Sequence, residues 1–316
     1  MTKPACSEEE FIKLFEEFGP EQTARLLGVA PRNVHKRRRT IEKNKGLTLT
    51  GPNPSGQVPT GSQYDRKREL QITDGKILIG SDVHVWPHRE TTAMRGFVSF
   101  AKKFKPDLVI INGDLFDGAS TSRHARIGWE WRPTAAQEIE AVNEFTSKIE
   151  KASPNSKRFL TIGNHDIRIE TMLSNRVPEV EGLFGTTIKD HLPYWDIVWS
   201  IQVNDNITIK HRYRSGIHAA WNNQLYSGHT LVTGDTHRLL VRPFSDYNGV
   251  RYGIETGTMA EPYGDQFHYA EDNPRDWRSG FVLLTIHDGE LLTPEIVRVM
   301  NEEIGRLEFR GGTIDV

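Results

Sequence analysis

Cysteine is nearly absent. Cys6 stands alone among 316 residues, which excludes an intramolecular disulfide framework and sets the expectation of a reducing compartment. Long apolar runs are missing too: none approaches the roughly 18–20 residues that span a bilayer, and the opening MTKPACSEEE has no apolar core of the secretory-signal kind. We therefore expect a cytoplasmic protein without membrane contact. Nor is there an excess of one charge, since 40 basic and 42 acidic residues leave a formal net of −2. The bulk charge thus says nothing about partners, but its distribution does. Between Gln22 and Lys45 eight basic residues face one acidic residue, Glu42, while Ala260–Asp276 is acidic.

Three segments differ in texture. Residues 7–45 read as three short helices. Ser7 with Glu10 forms a capping-box pattern ahead of Phe11, Leu14, Phe15 and Phe18, which share one helical face. Gly19-Pro20 ends that helix and opens Glu21–Leu27; Gly28 closes the second, and Pro31 opens a third that carries Val34 and the basic run His35–Arg39. This gives a helical module at 1–45, a linker rich in Gly, Pro, Ser and Thr at 46–68, and a large domain at 69–316.

In the large domain five apolar runs stand out: Lys76–Gly80, Asp107–Ile111, Arg158–Ile162, Ile207–Lys210 and Leu231–Thr233. Helical patterns at Thr91–Phe104 and Pro133–Lys151 alternate with them, which predicts a mixed α/β sheet with buried strands. Polar residues follow each run. They are Asp82-Val83-His84, Gly113-Asp114-Leu115-Phe116-Asp117, Gly163-Asn164-His165-Asp166, His211, and Gly234-Asp235-Thr236-His237. In α/β sheets the C-terminal strand edge is where ligands bind. Carboxylates, an amide oxygen and imidazoles suit divalent cations. The step from Asp82 to His84 is expected to place both side chains on one face through strand alternation, and Gly113, Gly163 and Gly234 to permit sharp turns. Each motif alone is weak; their succession behind buried strands carries the weight.

In this order the motifs resemble the calcineurin-like metallophosphoesterase superfamily over roughly residues 74–260. The resemblance implies an α/β fold, a four-layer α-β-β-α sandwich with a two-metal site at one end, and hydrolysis of phosphoester bonds by a metal-bridging hydroxide. Position by position, it implies that Asp82, His84 and His237 bind one metal and Asn164 and His211 the other, with Asp114 bridging. It also implies that His165 is the catalytic imidazole and Asp117 its partner, and that Thr256-Gly257-Thr258 is the family's closing turn. Two departures stand out. His211 is followed by Arg212 where the family has glycine, leaving His218 and His229 as alternatives, and Asp235 occupies the place of a histidine ligand to the second metal. Two dications with three carboxylates (Asp82, Asp114, Asp235) keep one net positive charge instead of two, so manganese or iron is expected over zinc. The opposite reading is that Asp235 cripples the second position. Just past the second motif, Arg123 and His124 are candidate clamps for a substrate phosphate, against a solvated loop.

The segment Gln22–Thr40 resembles a helix-turn-helix through Ala24, Gly28 and Val34, with Arg37 standing where an apolar residue is commoner. This resemblance implies a recognition helix at Pro31–Lys43, with Arg32, Asn33, Lys36, Arg37 and Arg38 meeting DNA. A solvated helix face or an oligomerisation module is the alternative. The combined expectation is a metal-dependent phosphodiesterase or nuclease acting on DNA. A phosphatase or small-molecule phosphodiesterase with a docking module competes with it, as does a DNA-binding protein with a degenerate catalytic domain. The Trp129–Trp131 loop is read as packing or as a rim to the site; Tyr194, Trp195 and Trp199 are read as core or a domain-edge patch.

Overall fold

Alternation along the apolar runs decides the architecture. In the computed structural model, Ile77 and Ile79 face one hydrophobic core while Leu78, between them, faces another; Leu108 and Ile110 alternate with Val109 and Ile111 in the same way, and Val282 and Leu284 with Phe281 and Leu283. A strand buried on both faces needs apolar residues at every position, which is why these segments read as continuous runs.

The structure describes residues 6–47, 49 and 64–316, divided between Gln63 and Tyr64 into two compact units. In chain order the first holds α1 (Glu8–Leu26) and α2 (Pro31–Lys45). The second holds β1 (Arg68–Leu70), β2 (Gly75–Gly80), α3 (Thr92–Phe104), β3 (Leu108–Asn112), α4 (Ala135–Ala152), β4 (Lys157–Thr161), α5 (Arg168–Arg176) and α6 (Ile188–His191). It continues with β5 (Asp196–Val198), β6 (Ile201–Val203), β7 (Ile207–Ile209), α7 (Ala219–Ser227), β8 (Thr230–Thr233), β9 (Leu239–Asp246) and β10 (Gly249–Thr256). The last strands are β11 (Gly280–His287), β12 (Glu290–Leu291), β13 (Glu295–Asn301), β14 (Arg306–Phe309) and β15 (Gly312–Asp315).

One sheet runs β15-β14-β13-β11-β2-β3-β4-β5, with β12 beside β11; the other runs β1-β6-β7-β8-β10-β9. The two sheets face each other across Ile77, Ile79, Ile110 and Phe159 from the first and Ile201, Ile209, Val232 and Ile254 from the second. On the outer face of the larger sheet lie α3 and α4, whose buried residues Phe97, Phe100, Val142, Phe145 and Ile149 recur at helical spacing. Helix α7 covers the smaller sheet at β8, β9 and β10. The unit is the expected four-layer α-β-β-α sandwich. Thr91 caps α3 through the Met94 amide, and Thr134 with Gln137 forms a capping box on α4.

Part of the segment read as linker is structure. Tyr64 is buried in the helix-side core, Asp65 bridges Val198, and Arg68–Leu70 pairs in parallel with β6. Strand β1 is short and polar, so nothing in its pattern marks it. Residues 48 and 50–63 of that segment lie outside the described residues. No helix among the described residues is long and apolar enough to cross a membrane.

The first unit packs Phe11, Phe15, Ala24, Val34, Ile41 and Leu49 together. Gly19 breaks α1 with φ 71°, ahead of Pro20, and Gly28 takes φ 64° in the turn before α2. Five residues of α2 carry the expected DNA contacts. Arg32, Asn33 and Lys36 are exposed, but Arg37 and Arg38 turn back onto α1. The Arg37 guanidinium lies 4.7 Å from the Phe11 ring centroid and donates to the Cys6 carbonyl (2.7 Å), and Arg38 sits over Phe15 and pairs with Glu42. The apolar stem and flat head of arginine fill an apolar position while keeping the charge satisfied, which accounts for the departure at position 37. The outward basic face is Arg32, Lys36, Arg39 and Lys43, spaced by four, three and four residues; Arg39 was not among the expected contacts.

Candidate metal centre

Parallel pairing of β2 with β3, β3 with β4, and β7 with β8 brings five strand ends to one edge of the two sheets. The chains leaving β2 and β3 stay joined: the amides of Asp82, His84 and Val85 donate to the carbonyls of Gly113, Asp114 and Leu115, each at 3.0 Å. Strand alternation does not aim Asp82 and His84, because β2 ends at Gly80. The backbone aims them, with left-handed φ of 49° at Asp82, 40° at His84, 50° at Asp114, 67° at Asp235 and 57° at His237. Such angles cost an L-residue about 1–3 kcal/mol each and cluster where function requires them; Asp and His tolerate them better than most residues. Gly113 shares the left-handed conformation (φ 81°), and a Cβ there would collide with the His211 ring. Gly163 and Gly234 have ordinary φ and are needed for space, since a Cβ would meet Asp114 at the one and Asp82 at the other.

The side chains converge. The ligand atoms of Asp82, His84 and His237 lie within 4.8 Å of one another, and so do those of Asp82, Asp114 and His211, and of His84, Asp114 and His165. Asp82 and Asp114 each belong to two groups. His218 and His229 belong to none, and His211 is buried. Its Nδ1 meets the Asn112 carbonyl at 2.7 Å, a contact that needs the proton on Nδ1 and turns Nε2 toward Asp114 Oδ2 at 3.2 Å. Four buried atoms here have no hydrogen-bond partner: His84 Nε2, Asn164 Oδ1, His211 Nε2 and His237 Nδ1. Orphaned buried polar atoms are rare, and four at one edge fit the donor set of a divalent cation.

The electrostatics agree. Burial opposes ionisation of Asp82 and Asp114, yet His237 and His211 hold the first below the usual carboxylate range, and His211, His165 and His84 hold the second well below it. The same carboxylates push His211 up to about 10 against its own burial. Burial, with His165 beside it, pulls His84 down. The cluster is a buried anionic nest that draws positive charge. Asp235 lies at its rim, with Oδ1 3.9 Å from His211 Nε2 and its amide donating to the Asp82 carboxylate at 3.1 Å. Burial, with Asp82 and Asp114 nearby, raises its carboxyl even though His211 opposes the shift.

The family profile described as calcineurin-like phosphoesterase matches residues 75–279. The chain belongs to the calcineurin-like phosphoesterase family. It is a metal-dependent phosphoesterase, and its buried His and Asp clusters fit the metal site that such chemistry needs. No curated protein matches. Among solved structures, the chain is similar to the phosphoesterase Yfce from E. coli, with 11% identity, a TM-score of 0.35, and coverage of 69% of this chain and 97% of that one. It is similar to the Pseudomonas putida nuclease MPE at 15% identity, TM-score 0.28, covering 68% and 85%. A dimetal phosphatase from Danio rerio matches at 11% identity, TM-score 0.36, covering 70% and 94%.

The contacts that hold this phosphoesterase site together join motif residues to one another and to Glu138 and Arg168, which lie outside the motifs. The buried Asp166 carboxylate accepts from the amides of Gly163, Asp114, Leu115 and Phe116 and so clasps the second motif to the third. Glu138, on α4, accepts from the amides of Asp117, Gly118 and Ala119. The Thr258 hydroxyl donates to the Asp82 carbonyl at 2.7 Å, so the turn at Thr256–Thr258 braces the first motif. Asp117 touches two imidazoles, His84 Nδ1 at 3.0 Å and His165 Nδ1 at 3.3 Å. The closest partner of His165 Nδ1 is the Asp117 carbonyl at 2.8 Å, while Arg168 donates to His165 Nε2, also at 2.8 Å. A guanidinium only donates, so this contact requires an unprotonated Nε2 and a neutral ring. Burial opposes a charge on His165, and Asp117 and Asp114 outweigh it to raise the imidazole; protonation at Nε2 and the Arg168 bond exclude each other.

Two cavities meet at His124, Asn164 and Arg168. One, of about 460 Å³, also has Arg123 and Arg176 in its wall; the other, of about 620 Å³, has Trp86, Asp117, His165 and Tyr269. Trp131 packs edge-on against Trp86 while Trp129 is fully exposed. Trp195 is core and Tyr194 is exposed.

Proposed function

We propose that the chain is a two-metal phosphodiesterase that cleaves DNA, its N-terminal module acting as a helix-turn-helix that supplies contact to the strand. Asp82, His84 and His237 would hold one ion and Asn164, His211 and Asp235 the other, with Asp114 serving both; the groupings of Asp82 with His84 and His237, and of Asp82 with Asp114 and His211, support the reading. The anionic donor at position 235 favours manganese or iron over zinc. Bound dications would activate a water and neutralise the non-bridging phosphate oxygens as charge builds. His165 protonates the leaving oxygen from Nε2, which requires Arg168 to exchange its imidazole partner for the entering substrate. Asp117 holds the ring through its carbonyl and carboxylate.

The observation that carries the nucleic-acid part is the outward face of α2, where Arg32, Lys36, Arg39 and Lys43 line up with Asn33 beside them. The test is manganese-dependent turnover of an aryl phosphodiester, an aryl phosphomonoester, and labelled single- and double-stranded DNA. Cleavage of the diester and of DNA, with little monoester turnover, is expected. Monoester hydrolysis without DNA cleavage sinks the reading, and tight zinc with full activity after metal-free expression and reconstitution sinks the metal preference.

A further inference from the structure

The arginine-lined cavity is not explained by hydrolysis of an isolated diester. Arg123, Arg168 and Arg176 share its wall with His124, and no carboxylate lines it. Several arginines of this unit pair with acids, Arg251 with Asp246, Arg298 with Glu308, Arg306 with Asp315 and Arg310 with Glu295, while others lie singly on the surface; what sets this cavity apart is that three share one wall. These three have no such partner among the described residues. Three arginines lining one concavity that no carboxylate lines bring forked donors that match phosphate oxygens. Arg168 spends two of its five N–H groups on Asp117 and His165, which leaves three for another partner.

We propose that this cavity is a subsite for the phosphate next to the one being cleaved, so that the substrate is a chain of linked phosphodiesters. The inference rests on the phosphodiesterase reading and deepens it. The scissile phosphate sits at the cluster that Asn164 borders, and the neighbouring phosphate lies on Arg123, Arg168 and Arg176. The adjoining cavity offers the exposed ring of Tyr269 to a base. Because Arg168 touches both His165 and the subsite, occupation of the subsite is what draws it off the imidazole.

The test uses the full chain with manganese, hydrolysing bis(p-nitrophenyl) phosphate, and compares inhibition by thymidine 3′,5′-bisphosphate with inhibition by thymidine 5′-monophosphate. The bisphosphate is expected to inhibit about 10-fold more tightly or better, the scale of one charge-assisted phosphate contact. Arg123→Ala and Arg176→Ala, both at exposed positions, are each expected to bring the two inhibitors within about 2-fold. Equal inhibition of the unaltered protein, or an advantage that survives both substitutions, overturns the subsite. Failure of the underlying reading shows separately, as absence of metal-dependent aryl diester hydrolysis. In that event calorimetric binding of the same two nucleotides to the same variants decides the subsite by the same ratio.

Discussion

At the strand tips the side chains are short and the backbone does the aiming; on α2 the side chains are long and do their own. Asp82, His84, Asp114, Asp235 and His237 reach one point through left-handed residues whose amides and carbonyls are tied to neighbouring loops, so each has little choice of direction. An arginine on a helix has four rotatable bonds and a stem that packs well on apolar surface. Arg37 and Arg38 use that freedom to cover Phe11 and Phe15, while Arg32, Lys36 and Arg39 stay in solvent. The difference teaches that a polar residue at a strand tip has its place fixed by topology, whereas a basic residue on a helix has it fixed by whatever apolar surface lies within reach.

The largest effect that sharpens this contrast is at His165. His165→Ala is expected to slow hydrolysis of alkyl diesters by roughly 10²–10⁴, with a far smaller loss on activated aryl esters, which need no proton on the leaving oxygen. Parallel rates on both substrates remove it from the acid role. Next comes metal addition. Saturation with manganese at about 100 times its dissociation constant adds about 2.7 kcal/mol to the stability of the larger unit, read as a rise in melting temperature. Asp114→Asn is expected to abolish most of that rise, and a rise that persists unchanged takes Asp114 out of the ligand set. Smaller again, Arg37→Ala costs the helical module about 1–2 kcal/mol by removing one cation–π contact and the hydrogen bonds to Cys6. Hydrogen exchange across α1 and α2 reads this, and unaltered protection means that Arg37 is not a packing residue. The smallest effect is at Arg39, where Ala is expected to lower the slope of log DNA affinity against log salt by about 1. The same change in slope from Arg37→Ala, with protection intact, erases the distinction between the two arginines.

The core strands and helices of the sandwich were legible because burial on two faces, or on one stripe, leaves a periodic trace: β2, β3, β4, β7 and β8 fall on the five apolar runs, and α3 and α4 on the helical patterns. Strands β1, β5 and β6 have three residues each, too few to show a period, and β9 and β12 to β15 are edge or hairpin strands with residues in water; β11 carries the same two-faced apolar trace in Phe281–Leu284 but stands outside the five runs, because no polar motif follows it. At the site, the residue types and their order were legible. The supporting contacts were not: Asp166, itself within the third motif, Glu138 and Arg168 reach backbone groups 19 to 52 residues distant, and no local pattern encodes such contacts.

By itself the sequence determined which chemical groups stand at the end of each buried strand, because strand burial and turn chemistry are local properties of the chain. Only the tertiary structure decided that they meet, that left-handed backbone rather than strand pleat turns Asp82 and His84 inward, and that three arginines share one cavity without an acid. The physical reason is that direction and electrostatic compensation depend on atoms brought together from distant parts of the chain.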